Sequence, residues 1–335
     1  MNRKGTDHHS SAECDSGWDL SVIIVNWNTK DLLSDCLSSI EGSTDEIVLK
    51  TFVVDNASKD GSQEMMRAVF PDFRLIESGG NLGFAKANNL ARPYCKSPFV
   101  LFLNPDTLVS RGSIDKMANV LRNHPEVGAV GCKMCYPDGR VQPLGLQWFP
   151  SPGTEFVNIL FLTNSMEKTL RRHLPYHDPE VNGFVRKLYG GALMVRKSAL
   201  DAVGWFDERF FMYGEDVDLC RRITDGGWQL YYLSDAEIVH LCGGASRHAY
   251  SNFSTLMKCE SISKLMKKHH GPRGAILYRL AMLSGAAARL AMVVILRIAR
   301  RRSVLCQDVN TLQSGAKYIA ILKWSLGLLK AKVAD

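Results

Sequence analysis

Apolar residues in this chain alternate between two spacings, and the alternation predicts the order of its elements. Short unbroken runs recur at Leu20-Ser21-Val22-Ile23-Ile24-Val25-Asn26-Trp27, Ile47 to Val54, Phe99 to Leu103, Val127 to Cys132, Tyr189 to Val195 and Trp228 to Leu233. Such runs read as strands buried on both faces, as in a parallel sheet. Between them, residues recur every three or four positions: Leu32, Leu33, Cys36, Leu37 and Ile40 within Asp31 to Ile40, then Gln63 to Phe70, Arg111 to Asn123 and a segment from Lys197. Strand, helix, strand with a polar loop after each strand is a βαβ pattern, so the expected fold is α/β, a mostly parallel central sheet flanked by helices. The run at Phe99, bounded by Pro98 and Pro105, stops at Asp106. Ligands of open α/β sheets bind at the carboxyl ends of strands, where an Asp can hold a cation or cap the next turn.

The polar loops supply further candidates. Asn26, Trp27 and Asn28 end the first strand, and Asp55-Asn56-Ala57-Ser58-Lys59-Asp60-Gly61-Ser62 follows the second. Neither G-x-G-x-x-G nor a P-loop occurs there, so nucleotide recognition must rely on side chains. A third strand at Arg74 to Glu77 leads to Gly79-Gly80-Asn81-Leu82-Gly83-Phe84-Ala85, a turn or a close approach to phosphate, opening a helix with Ala87, Asn88 and Asn89. Tyr136 to Arg140 reads as a hairpin turn. Residues 144 to 188 are irregular around an apolar piece from Phe156 to Leu162, the pattern of a lid or binding loop. Gly190 and Gly191 remove the first side chains of the next strand, so that something can sit against its backbone. An aromatic loop, Gly204 to Tyr213, delivers Glu215 and Asp216 into the first turn of a helix, with Asp218 four residues before Arg222. That is a complete helix-start and ion-pair pattern, yet Phe210, Phe211 and Tyr213 would wall in a carboxylate and make it more basic. His240 lies among apolar residues ahead of Gly243-Gly244-Ala245-Ser246, as a core residue or a ligand.

Composition adjusts this picture in three places. With 335 residues, 46% hydrophobic and 22% charged, the chain suits one large α/β body and an appendage. Nine cysteines, an odd number spread over apparent core positions such as Cys36, Cys95, Cys220 and Cys259, point to reduced buried thiols, and the lone Cys132-x-x-Cys135 to packing. The first 18 residues are polar without an apolar signal core, which predicts a disordered start, residues 1–18, and a cytoplasmic protein. The net charge of +7 is localised: Ser261 to Gln307 holds ten Lys and Arg and no acid, while 31 basic and 34 acidic residues, a balance of −3, make up the remainder. A nucleic-acid binder would be basic throughout; a basic appendage on residues 256–335, joined to a body at 19–255, predicts an anionic membrane surface as partner. At 100° per residue Arg279, Arg289, Arg297, Arg300 and Arg301 share an arc of about 120°, opposite an apolar face, which predicts an in-plane interfacial helix and not a spanning one.

Taken in order, Val22 to Asn28, Val53 to Ser58, Asn81 to Ala85, Leu103-Asn104-Pro105-Asp106, Gly190-Gly191-Ala192, Gly214 to Leu219 and His240 resemble the family 2 glycosyltransferases of GT-A fold, within them the rhamnosyltransferase-like branch. The resemblance covers about residues 20 to 250. It implies a donor site in which Asp55, with Asn26 and Asn28, holds a pyrimidine nucleotide, dTDP- or UDP-linked, helped by Asn56, Asn81, Asn104, Gly190 and Gly191. Asp106 with His240 would bind Mg²⁺ or Mn²⁺ on the diphosphate, and Asp216 would be the catalytic base, with Glu215 in reserve. One departure is visible: the family's D-x-D motif begins here with Asn104, whose amide offers an oxygen but no charge. The implied reaction is inverting transfer of a sugar, rhamnose by branch, to a saccharide acceptor carried on a polyprenyl diphosphate, at the cytoplasmic face of a bacterial inner membrane, for surface polysaccharide. A sugar nucleotidyltransferase and a non-catalytic sugar- or membrane-binding module are the alternatives.

Overall fold

Strand β1 (Leu20–Asn26) shows how the sheet is built, because its consecutive side chains enter two different cores. Val22 and Ile24 face one way, joined by Leu101, Leu103 and Met194 from other strands and by Leu33, Leu37, Met117 and Leu121 from helices. Ile23 and Val25 face the other way, with Phe102, Leu193, Ala87, Leu200, Leu219 and Ile223. Alternation in a strand covered on both sides gives the unbroken apolar run seen in the sequence. The computed structural model describes residues 17–161, 175–241, 252–300 and 309–331.

After β1 come α1 (Lys30–Ile40), β2 (Leu49–Asp55), α2 (Ser62–Val69), β3 (Arg74–Glu77), α3 (Phe84–Leu90), β4 (Phe99–Leu103), β5 (Thr107–Val109), α4 (Ser113–Asn123) and β6 (Val127–Cys135). Then follow α5 (Pro152–Phe161), β7 (Gly183–Val185), β8 (Ala192–Arg196), α6 (Lys197–Val203), α7 (Glu215–Asp225), β9 (Gln229–His240), α8 (Phe253–Arg300) and α9 (Val309–Ser325). The nine described strands form one sheet in the order β3-β2-β1-β4-β8-β6-β9-β5, with β7 on β9. The expected α/β sheet is present, but it is mixed: β3, β2, β1 and β4 run parallel, whereas β8 is antiparallel to both β4 and β6. A run buried on both faces looks the same in either direction, so the spacing of apolar residues does not report strand sense. The inserted β8 matters for the site, because pairing Leu103 with Ala192 sets its leading glycines beside the carboxyl end of β4.

Other differences are local. The segments at Trp228 and Ile238 form one strand, β9, that bends at a register shift against β6. The apolar piece expected in a lid is helix α5, packed on α8; a Cβ on Gly285 would overlap Ile159. Leu162, the first 16 residues, Gly243 to Ser246, and Arg301 with Arg302 lie outside the described residues. The six described cysteines are buried and free, as expected. Burial pushes the Cys132 thiol up to about 12, in keeping with a packed, protonated side chain.

Helices α8 and α9 share a separate core of Leu256, Met266, Tyr278, Met282, Ile321 and Trp324, packed against Ile159. Helix α8 breaks at Gly271, whose φ of 69° leaves the helical region just before Pro272 starts the second half. The two faces of this helix are covered unequally. Arg289 is buried and Arg279 stacks on Trp324 at 4.9 Å, while Ile276, Leu277, Leu280, Met292, Val294 and Ile295 are exposed. Lys268 is paired with Asp207 and Asp218, so part of the expected basic face is used inside the protein. The side chains of Arg297 and Arg300 lie outside the described residues.

Candidate active site

Four strand ends converge on the site. Parallel register sets Asn26 beside Asp55 at the ends of β1 and β2. Asn26 is fully buried; its amide donates to Asp55 Oδ1 at 3.0 Å and Ser58 Oγ at 3.1 Å, and its carbonyl accepts from Thr29 at 2.6 Å. Asp55 Oδ2 accepts from the Ser58 backbone at 3.0 Å and Gln63 Nε2 at 2.7 Å. Asn56 ties this loop to the glycine-rich one, donating to Asn81 Oδ1 at 3.0 Å and accepting from Leu82 N at 2.8 Å. Asn26, Asp55 and Asn56 therefore hold the shape of the pocket rim, while Asn28 and Asn81 remain half-buried at its surface. Asn28 and Ala57 have φ of 52° and 63°, a left-handed backbone that is uncommon for any residue with a side chain and concentrates at functional loops.

The second corner comes from the far end of the sheet. Antiparallel pairing of Thr107 with His240 sets Asp106 against the histidine, and Asp106 Oδ1 lies 3.3 Å from His240 Nε2. The tautomer follows from Gln142, which sequence reasoning missed. Its Nε2 donates to the His240 carbonyl at 2.9 Å, which leaves its Oε1, 3.0 Å from Nδ1, to accept the Nδ1 proton. Nε2 is thereby directed at Asp106, the arrangement typical of a metal-ligating histidine with an outer partner. Among the described residues no group of three or more His, Cys, Asp or Glu could hold a metal ion. A cation that takes its remaining ligands from phosphate oxygens and water needs only one or two side chains, so the Asp106–His240 pair fits Mg²⁺ or Mn²⁺ in that mode. Asn104 donates its backbone N–H to Gly191 O at 2.9 Å and opens onto the adjoining cavity.

The third corner is the start of α7. Tyr213 at φ 66° and Gly214 at φ 86° turn the aromatic loop sharply into the helix. Asp216 accepts from Gly190 N at 3.0 Å and from Val217 N at 2.8 Å. Burial raises its pKa against those hydrogen bonds and against Lys187, leaving a carboxylate more basic than usual. Glu215 is more deeply buried; desolvation first and the Asp216 charge second push it up to about 8, and its Oε2 has no partner among the described residues. Asp218 is fully buried and held by Arg222 at 2.7 Å, as expected from spacing, and also by Lys268 at 2.6 Å and His269 at 3.0 Å from α8. Of the expected aromatic wall, Tyr213 lines the cavity, Phe210 lies in the core, and Phe211 covers Gly83.

A cavity of about 960 Å³ joins the second and third corners. Asn104, Gly190, Gly191, Gln142, His240, Glu215 and Asp216 lie on its wall, which continues along α5, α8 and α9. The Asn26–Asp55–Asn56–Asn81 cluster lies outside that wall, at the β1 and β2 end of the sheet.

Comparison with known proteins matches this architecture. The model of the family described as "Glycosyl transferase family 2" covers residues 21–201. An N-acetylglucosaminyl-diphospho-decaprenol L-rhamnosyltransferase of Mycobacterium tuberculosis is 33% identical over 66% of this chain and 75% of its own. The rhamnosyltransferase WbbL of Escherichia coli K12 is 24% identical over 69% and 86% respectively. Among solved structures, the mannosyltransferase PcManGT from Pyrobaculum calidifontis, in complex with GDP-Man and Mn²⁺, superposes with a TM-score of 0.57 at 19% identity, covering 93% of this chain and 87% of that one, a likeness of fold. With a GT-A-like α/β sheet, a cleft at its strand ends and a family match over more than half its length, the chain belongs to glycosyl transferase family 2 and is a glycosyltransferase.

Proposed function

We propose that this enzyme transfers rhamnose, with inversion, from a dTDP- or UDP-linked donor to a hydroxyl of a saccharide carried on a polyprenyl diphosphate. The observation that carries the proposal is Asp216: a carboxylate made more basic by burial, held by the Gly190 N–H, on the wall of a cavity that also takes in His240 and Asn104. The acceptor hydroxyl must lose its proton as it attacks, and Asp216 is placed to take it. Glu215, pushed up to about 8 by burial and the Asp216 charge, stays the reserve candidate, because it is mostly protonated at neutral pH. Attack from the side opposite the departing diphosphate inverts the anomeric carbon, through a transition state with oxocarbenium character. Asp106 and His240 would hold Mg²⁺ or Mn²⁺ on the donor diphosphate, where the ion supplies charge neutralisation for the leaving group. Gly190 and Gly191 let the sugar lie against the backbone: a Cβ on Gly190 would press on Asp216 and one on Gly191 on Met134.

The relatives named above include one whose acceptor is a decaprenyl diphosphate, and the exposed apolar face of α8 supplies a means of meeting such a lipid at a membrane. The segment Phe253–Ile295 is apolar enough to span a bilayer by length and composition. Its inward face carries Arg289 and Lys268, and that supports an in-plane position on the cytoplasmic leaflet.

The test is release of nucleoside diphosphate from dTDP-rhamnose and UDP-sugars with Mn²⁺ and a polyprenyl-diphosphate-linked N-acetylglucosamine acceptor. Transfer is expected, and Asp216→Asn should lower it by about 10²-fold or more while still binding donor. Pyrophosphate released from a nucleoside triphosphate would instead identify a nucleotidyltransferase. No turnover of any nucleotide would leave a binding module.

A further inference from the structure

Where the cavity passes between α8 and α9 its lining becomes apolar, with Ile262, Tyr278, Met282 and Ile321 on the wall, and yet three cations open onto it: Lys258 and Arg289 from α8 and Lys317 from α9. Among the described residues none of the three has a carboxylate within ion-pair distance. Arg289 is buried and gives its Nε–H to the Ile159 carbonyl at 2.8 Å, which leaves the rest of a five-donor guanidinium without an acid. The Lys258 ammonium sits over the Tyr213 ring at 4.9 Å and lies close enough to Lys317 to be disfavoured by its charge and close enough to Asp216 to be favoured by it. The carboxyls on the same wall are Glu155, which accepts from Asn158 at 3.0 Å and whose pKa burial raises, and Glu215 with Asp216 at the chemical end. Two lysines on one cavity wall with the base candidate, without a carboxylate in ion-pair reach among the described residues, make a place for a compact polyanion.

We infer that Lys258 and Lys317, with Arg289, bind the diphosphate of the lipid-linked acceptor, its sugar reaching Asp216 and its polyprenyl chain leaving along the apolar lining between α8 and α9. This rests on the acceptor reading above. A diphosphate carries two or more negative charges and many acceptor oxygens, which ammonium and guanidinium groups satisfy with charge-assisted hydrogen bonds. The chain that follows it is pure hydrocarbon, and Ile262, Tyr278, Met282 and Ile321 give it an apolar wall beside the cations. One ligand thus accounts for cations and apolar surface side by side, which an interior salt bridge or a plain core would not.

The donor carries a diphosphate too, so the experiment separates the two. The full chain is saturated with UDP and Mn²⁺, and farnesyl diphosphate or farnesol is then titrated against it by calorimetry. Farnesyl diphosphate is expected to bind in the presence of UDP, to weaken about tenfold or more in Lys258→Met/Lys317→Met, and to recover in Lys258→Arg/Lys317→Arg, while farnesol binds the wild type and both variants alike. Competition by UDP would place the lipid diphosphate in the donor site and overturn the inference. Equal affinity of the Met variant and the wild type would also overturn it, as would a matching loss of farnesol binding, which marks a structural defect. Because the readout is binding, absence of glycosyl transfer would sink the acceptor reading without obscuring this result, and the reverse holds equally.

Discussion

Glu215 and Asp216 are neighbours in sequence with different proposed tasks, and depth of burial is what distinguishes them. Glu215 folds protonated, with a pKa raised from an ordinary 4.5 to about 8. A group raised in this way contributes stability that is fully present below its unfolded pKa and is lost as pH climbs through the folded value. Glu215→Gln should therefore flatten the melting temperature against pH between about 4.5 and 8, gaining on the wild type toward the alkaline end. An unchanged slope would mean that the carboxyl is ionised in the fold. Gln142 invites a second measurement. Removing an outer partner of a metal-binding histidine commonly costs 10- to 100-fold in metal affinity. Gln142→Ala should weaken Mn²⁺ binding, read by the loss of free-ion EPR signal in the presence of UDP, by about that factor; unaltered affinity would remove Gln142 from the site. Asp106, Asp216 and His240 were legible in the sequence because each stands beside a run or motif that marks a strand end or helix start. Gln142 was not, since it meets His240 across 98 residues through strand pairing, and no local spacing records that.

At the scale of elements, most strands and helices could be read from periodicity, and their directions and facing could not. A buried run is silent about whether β8 enters parallel or antiparallel, yet that choice brings Gly190 and Gly191 to Asn104. Period 3.6 showed that α8 has a basic and an apolar face, but not which is covered; the core of Trp324, Tyr278 and Ile159 took the side holding Arg279 and Arg289. The loops carry their own constraint at Gly83, where φ is +78° and a Cβ would strike the Phe211 carbonyl that accepts from Phe84 N at 2.6 Å. Gly83→Ala should cost about 2 kcal/mol or more in urea denaturation, because a strained backbone and an overlap with main-chain atoms act together. A loss below about 0.5 kcal/mol would mean the aromatic loop gives way easily.

At the scale of the whole molecule, the outward face of α8 predicts how the protein would meet lipid. An anchor made of lysines weakens within a few Debye lengths of added salt, whereas burial of Ile276, Leu277, Leu280, Val294 and Ile295 does not. Sedimentation with phospholipid vesicles should accordingly persist at 0.5 M NaCl, about three times the physiological ionic strength, and fall sharply in Leu277→Ser/Leu280→Ser; release by salt alone would return the contact to electrostatics. The sequence located this appendage by its charge, but not the way its charges turn inward to fasten it. Asp218 carries that fastening: a carboxylate with no solvent exposure whose partners come from two helices, the Arg222 charge on its own and the Lys268 charge with the His269 imidazole on the next. Cutting the chain before residue 253 to obtain a more tractable fragment would strip the Lys268 charge and the His269 contact from an acid two positions beyond Asp216. What such a trimmed protein would lose first is the footing of its proposed proton acceptor, which makes the appendage a structural support of the proposed site and more than a tether.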